Sequence, residues 1–394
     1  MYTCDFNATT PLHSAVADLL ADLALRPLGN PSSPHASGRF AAQVLDSART
    51  RVSEVCDWPR SGVVFTSGAT EALFIAIAGV ILGSSTGRRR ILVSAIEHKA
   101  VQSAAKFAAA QAGMRVESLA VTADGVIDLN AAAKALDSDV ALLCAMGANN
   151  ETGVVQPLAE LAELARAHEV PVLSDLCQMP GKVRFEDELR NIDMAVISSH
   201  KVMGPRGAGA LLVEPSLKKA LTPVLQGGGQ EGGLRGGTEN VSAVAGFALA
   251  LSLASDELTD RQARMSVARD AFEQRLVSVI PGVRIHGVRA SRLPNTSFVS
   301  IPGVDADDLL LALPQIEAST GSACQSAFPT PSHVLLAMGV GPAEAQQSLR
   351  LSFPPGGTEP RLQETHAEAA TGQDVADLIG SAAQSLRKEM GARA

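Results

Sequence analysis

Short, continuous aliphatic runs separated by helix-length stretches dominate the first two thirds of this chain. The runs fall at 63–66 (VVFT), 91–95 (ILVSA), 115–119, 140–145, 170–174 (VPVLS), 193–198 (DMAVIS) and 209–213 (GALLV). They do not alternate polar with apolar residues, which is the pattern of strands covered on both faces. Helical spacing fills the gaps, as at Gln43–Val55, Ala69–Ile81, Lys99–Gln111 and Leu158–His168. Strand followed by helix, repeated, predicts an α/β fold with a mainly parallel sheet.

The pattern changes after about residue 257. Met265, Ala268, Phe272, Leu276 and Val279 recur at helical spacing, which predicts one long helix over 258–280. A strand (296–301), a helix (306–313) and a strand near 316–320 follow. Val375, Leu378, Ile379, Ala382 and Leu386 then share one face of a final helix. This second set reads as a smaller α+β domain. Residues 354–372 (PPGGTEPRLQETHAEAATG) are polar and read as a loop.

Composition excludes several functions. With 394 residues, 46% hydrophobic and 19% charged, the chain can bury a core without disulfide or metal staples. Aromatics are 3%, with a single Trp (Trp58) and a single Tyr (Tyr2), which argues against stacking platforms for single-stranded nucleic acid. The net charge of −8 repels phosphate backbones, and the one basic run, Arg88–Arg90, reads as a solvated turn before a strand. Direct nucleic-acid binding is not expected. The five cysteines (4, 56, 144, 177 and 324) show no CxxC pair and no zinc-ligand spacing, so a metal site is not expected and a reducing, cytoplasmic compartment is. The start, MYTCDFNATT, has an acid at position 5 and no apolar stretch of a signal peptide. The longest apolar run, Ala72 to Gly83, is too short to span a bilayer, so no membrane role is expected.

Ligands of α/β sheets bind at the carboxyl ends of the strands, so the residues after each strand carry the most information. After 63–66 come Ser67, Gly68, Ala69, Thr70 and Glu71, opening a helix. Small residues there let backbone N–H groups approach an anion, although the same residues make an ordinary helix cap. After 170–174 come Asp175 and Gln178, and after 193–198 come Ser198, Ser199, His200 and Lys201. A lysine at the inner end of a parallel strand is costly to bury as an ammonium, a cost avoided when the amine forms an imine with a carbonyl cofactor. An anion cradle at Ala69 and Thr70, an acid at Asp175 for a protonated ring nitrogen, and Lys201 flanked by Ser198 and His200 are the parts pyridoxal phosphate needs.

Ordered segments from end to end resemble the fold-type-I pyridoxal-phosphate enzymes of the class-V aminotransferase group, and within them the NifS/IscS-like cysteine desulfurases. The segments are DFNATTP (5–11), GNPSSPHASGR (29–39), VVFTSGATEA (63–72), EHKAV (97–101), NNETGVVQP (149–157), SHKVMGPRGAGAL (199–211), GGGQEGGLRGGTEN (227–240), PNTSFVS (294–300) and STGSACQSA (319–327). The resemblance implies a mainly parallel seven-stranded sheet in a large cofactor-binding domain, residues 13–257. It implies a small α+β domain from 1–12 and 258–394, carrying a catalytic cysteine loop. It casts Lys201 as the imine-forming lysine, Asp175 as the partner of the ring nitrogen and Gln178 as the donor to the phenolic oxygen. Ala69, Thr70, Ser198 and His200 become phosphate ligands. His98 stacks on the ring and moves protons. Asn150, also a cofactor contact, and Arg350 fix the substrate carboxylate, for which a guanidinium fork suits better than a point charge. Thr238 is similar to a phosphate ligand donated by a second protomer, which implies a homodimer. Outside this context His98 reads as a structural histidine, Arg350 as a surface charge on an edge strand, and 227–237, with its seven glycines, as a flexible loop.

Cys324 is the expected nucleophile. It sits in Thr320-Gly-Ser-Ala-Cys-Gln-Ser-Ala before Phe-Pro-Thr-Pro, a small, polar, proline-interrupted stretch that reads as a loop tip. A free thiol with pKa about 8.5 is only about 3% ionised at pH 7, so its deprotonation must be assisted. The chain departs from the resemblance at Ser-Asp-Leu-Cys-Gln (174–178), where small residues are usual; Cys177 there reads as a packing group. The implied activity is conversion of L-cysteine to L-alanine, with the sulfur held as a persulfide on Cys324 for an acceptor protein. Iron–sulfur cluster assembly, tRNA or cofactor thiolation and DNA phosphorothioation all begin this way. A selenocysteine lyase or other C–S lyase, and a non-catalytic partner in a sulfur-transfer complex, are the alternatives.

Overall fold

The computed structural model describes residues 1–84, 87–321, 330–356 and 370–393. The seven aliphatic runs are the seven strands of one sheet: β2 (Val63–Thr66), β3 (Arg90–Ser94), β4 (Arg115–Leu119), β5 (Val140–Cys144), β6 (Val172–Asp175), β7 (Met194–Ser198) and β8 (Gly209–Val213), following a short N-terminal strand β1 (Tyr2–Thr3). Their order is β2-β8-β7-β6-β5-β3-β4. All neighbours are parallel except β8, which runs antiparallel to both β7 and β2. Every residue of β5, β7 and β8 is buried. The strand order reverses between β3 and β5, which opens a crevice at their carboxyl ends.

Helices cover both faces. On one side Val16, Leu45, Phe65, Leu143, Ile197 and Phe247 form a core with helices α1 (Ser14–Leu25), α2 (Ala36–Val55) and Val241–Asp256. On the other, Leu73, Ile77, Ile91, Ala105, Leu142 and Val196 pack with α3 (Ala69–Gly83) and α4 (Lys99–Ala112). Among the described residues no single helix is long and apolar enough to cross a membrane.

The second sheet is antiparallel, ordered β12-β13-β10-β9, from β9 (Arg284–Ile285), β10 (Thr296–Ser300), β12 (Ser319–Thr320) and β13 (Ser348–Ser352). The N-terminus joins it: β1 pairs with β11 (Ile316–Glu317) in parallel, and Asp5 bridges to Ser352. Helices Leu258–Val279 and Ala370–Arg393 close this layer over Phe272, Phe353, Val375 and Ile379.

Four of the differences from the sequence expectation have a clear physical cause. α2 begins at Ala36 rather than Gln43, because the His35 ring accepts from Gly38 N at 3.2 Å and caps it. β6 begins at Val172, since Pro171 has no N–H for the ladder. The strand near 316–320 is two strands in two sheets, exchanging at Ala318. The loop expected to end at 372 gives way to helix at Ala370, and 357–369 lie outside the described residues. Contact decides this last case: a side chain on Gly372 would come within 2.2 Å of the Ala268 carbonyl, so two helices approach too closely for polarity to rule.

The glycine-rich stretch is pinned, not free. Glu231, buried, takes a two-pronged bond from Arg49 (2.8 and 2.7 Å) and accepts from Phe65 N at 2.9 Å, fixing the segment to the start of the sheet. Removing one partner of a buried pair leaves an uncompensated charge. Glu231→Ala is expected to lower unfolding stability by roughly 3 kcal/mol, read as a shifted urea midpoint; a shift indistinguishable from zero would show that the anchor carries no load.

Candidate active site

A cavity of about 680 Å³ opens at the carboxyl edge of the large sheet, a volume suited to a cofactor with its substrate. Its walls bring together Ala69, Thr70, His98, Asn150, Asp175, Gln178, Ser198, His200, Lys201 and Arg350. Thr238 is exposed and does not line it. Cys324 lies outside the described residues.

One end of the cavity is built for an anion. Gly68 is the N-cap of α3, and no side chain caps the helix there. Gly68 has φ 153 and ψ −179, a conformation essentially closed to other residues, and no atom lies within 4 Å of where a Cβ would stand. The Ser198 hydroxyl, at the end of β7, is buried without a hydrogen-bond partner among the described residues. Burial, aided by Lys201 and Arg206, lowers the His200 pKa to about 4, so its ring is a neutral donor or acceptor; Nδ1 lies 3.2 Å from Thr9 Oγ1.

Lys201 closes the turn after β7. Its Nζ donates to the carbonyls of Asn7 (2.5 Å) and Ala8 (2.7 Å). The turn is tied down by Met203, which sits at φ 66 while its N–H donates to Thr10 Oγ1 at 2.8 Å. At the neighbouring strand end, Asp175 Oδ1 accepts from Cys177 N at 3.0 Å. The residues that depart from the resemblance pack on opposite faces: Leu176 joins the core beneath α2, and Cys177 joins that beneath α3, its Sγ 3.8 Å from the Val196 carbonyl. Gln178 is oriented by a residue the sequence reading missed. Buried Lys182 donates to Gln178 Oε1 (2.6 Å) and Asn7 Oδ1 (2.7 Å), while Gln178 Nε2 donates to the Asn7 carbonyl at 3.0 Å. Burial first, then Lys201 and Arg350, hold Lys182 well below its usual pKa.

His98 caps α4, its Nδ1 accepting from Ala100 N at 3.2 Å, which places the ring proton on Nε2. The structural and cavity-facing readings of His98 therefore coexist. Burial lowers its pKa; Asp175 opposes this, and Lys201, His333 and Lys99 reinforce it. Arg350 is on no edge. β13 lies between β12 and β10, and the side chain is buried, donating to Asp5 Oδ1 (2.5 Å) and the Asn150 carbonyl (3.1 Å), with Nε unpartnered among the described residues.

The family described as "Aminotransferase class-V" matches residues 2–363. The chain belongs to that family. It is 40% identical over 363 residues, 90% of this chain and 86% of the other, to a protein of Frankia sp. (strain EuIK1) named "Cysteine desulfurase". A solved structure described as a "NIFS-LIKE PROTEIN" superposes with a TM-score of 0.84 at 31% identity, covering 95% of this chain and 98% of its own. Another, "SspA in complex with cysteine", does so with a TM-score of 0.78 at 29% identity, covering 90% and 99%.

In this class-V chain the sequence reading missed the carboxyl that precedes His98. Glu97 is buried; Oε1 accepts from Met146 N at 2.6 Å, and Oε2 has no partner among the described residues. Burial, helped by the charge of Asp175, pushes its pKa from 4.5 up to about 8. An apolar neighbourhood on both sides of the EHK motif was the available signal. The folded chain thus keeps a proton that the unfolded chain releases near pH 4.5, so stability falls as pH rises from there to about 8. Glu97→Gln removes this dependence. Its melting temperature is expected to gain on the wild type by several degrees between pH 5 and pH 8; parallel profiles would refute the buried neutral carboxyl.

Proposed function

We propose that this chain is a pyridoxal-phosphate-dependent cysteine desulfurase, working as a homodimer, that converts L-cysteine to L-alanine and passes the sulfur through a Cys324 persulfide to an acceptor protein. The observation that carries it is the gathering of Lys201, Asp175 and an uncapped helix start with the unpartnered Ser198 hydroxyl around one cavity. The cofactor fits this set: a buried hydroxyl and an uncapped first turn suit a phosphate, an acid stands at the neighbouring strand end, and an amine lies between. When bound, pyridoxal phosphate supplies an electron sink for bond cleavage next to the substrate amino group.

The chain's own groups do the rest. Ala69, Thr70, Ser198 and His200 hold the phosphate, with Thr238 of the second protomer completing it. Lys182 turns the Gln178 amide so that its N–H face meets the cavity. Arg350 and Asn150 hold the substrate carboxylate, which shares the guanidinium with Asp5. Lys201, released from the Asn7 and Ala8 carbonyls, and His98 through Nε2 move protons at the substrate carbon. The Cys324 thiolate then attacks the substrate sulfur. A sulfur–sulfur bond forms, the carbon–sulfur bond breaks, and the electron pair left on carbon takes a proton to give alanine.

The choice of nucleophile is supported by the other cysteines. Cys4, Cys56, Cys144 and Cys177 are all buried. Burial pushes the Cys4 thiol up to about 12 and raises the other three as well, so none is a ready thiolate. That a similar protein, SspA, has been solved in complex with cysteine supports cysteine as the substrate.

Single variants separate these roles. Lys201→Ala should lose the borohydride-reducible cofactor adduct. Cys324→Ser should keep the yellow cofactor and respond spectrally to cysteine, yet form almost no alanine and retain no labelled sulfur. Cys177→Ser should still carry the persulfide. A persulfide that persists in Cys324→Ser and vanishes in Cys177→Ser would reverse the assignment.

Assembly gives a further check. Thr238 reaches a phosphate only across a dimer, so light scattering should find two chains per active particle; an active monomer at working concentration contradicts this.

A further inference from the structure

The described residues on either side of the Cys324 segment meet at one point: Gly321, after β12, lies against Ser332, and a Cβ built on Gly321 would lie 2.7 Å from Ser332 Cβ. Cys324 is the third residue after Gly321, a reach of at most about 11 Å. The position of this root therefore sets what Cys324 can touch.

The root is held by groups that none of the roles above uses. Ser332 is fully buried; its hydroxyl donates to Glu151 Oε2 and accepts from Leu335 N at 3.2 Å, capping the helix His333–Ala337. Glu151 follows Asn150 directly, and its N–H donates to Asn149 Oδ1 at 2.9 Å within the loop after β5. The next residue of the root, His333, places Nε2 3.0 Å from the Glu97 carbonyl, in the loop that carries His98. Burial raises the Glu151 pKa, while the bond from Ser332 and the charges of His333 and Arg350 oppose the rise. A carboxyl in so dry a place is costly unless it is hydrogen-bonded, and the bond from Ser332 ties it to the root.

We propose that Glu151 and Ser332 form the joint that registers the Cys324 segment against the loop bearing Asn150, and are positioning residues for sulfur transfer. This rests on the desulfurase reading above. The joint acts after cysteine has bound, because neither residue lines the cavity. Its loss shifts the attacking sulfur without emptying the cofactor site.

The test uses the holoenzyme with cysteine in a single turnover, following cofactor absorbance and alanine together. Glu151→Ala and Ser332→Ala are expected to keep the cofactor and the cysteine-induced spectral change, while alanine formation slows on the order of tenfold, since misplacement of about 1 Å is enough for such a loss. Glu151→Gln keeps an oxygen that accepts the Ser332 hydroxyl at the same place and should form alanine within about twofold of wild type, because the joint needs the contact and not the charge. Wild-type rates in both alanine variants overturn the proposal. So does loss of the cysteine-induced spectral change, or a Glu151→Gln defect as large as that of Glu151→Ala. A wild-type enzyme that makes no alanine refutes the desulfurase reading instead. In that case amide hydrogen exchange over 333–338 judges the joint: faster exchange in Glu151→Ala supports it, and unchanged exchange overturns it.

Discussion

Asn7 uses every polar group it has, and the site depends on it. Its carbonyl accepts from Lys201 Nζ and Gln178 Nε2. Its side-chain oxygen accepts from Lys182 and Asn295, its amide donates to the Asn150 carbonyl and Thr296 Oγ1, and its backbone N–H donates to Ser352 Oγ. The residue is buried, so each of these bonds stands where water cannot replace it. One residue thereby joins the N-terminal segment, the large sheet's lysine and glutamine, and the antiparallel sheet that carries Arg350. The pairing of β1 with β11 delivers Asn7 to that place.

Around this hub the cavity mixes groups in opposite states of charge. Burial disfavours the charged form of every group it encloses. It keeps His98 and His200 toward neutral imidazoles, lowers Lys182 and raises Glu97. Neutral surroundings strengthen the charges that remain, and one of these, Arg350, belongs to the pair proposed to hold the substrate carboxylate. The anion end is made of backbone and hydroxyl groups, which need no counter-charge inside the fold.

The large sheet was legible because both its faces are covered. Full burial writes continuous aliphatic runs into the chain, and all seven became strands in the sheet. Site residues at strand ends were legible for the same reason: Asp175, Ser198, His200 and Lys201 interrupt apolar runs where a core residue would otherwise stand. The errors fell where two surfaces meet. The stretch 316–320 looks like one strand but serves two sheets, and the polar start of the last helix is fixed by Gly372 against Ala268.

The sequence by itself determined the layer order, the strands and the identity of the groups that end them, because hydrophobic period and strand-end chemistry are local properties. Tertiary structure alone decided what those groups touch. Glu97 and Glu151 were not singled out in the sequence and are buried, one with an oxygen unpartnered among the described residues and one on Ser332, distant in the chain. Lys182, missed in the sequence, donates to the Gln178 amide and orients it. Arg350 looks like an edge residue and lies between two strands, on Asp5 from the far end of the chain. Each depends on which segments the fold brings together, and the free energy of burying a charge is set by those partners, not by the residue itself.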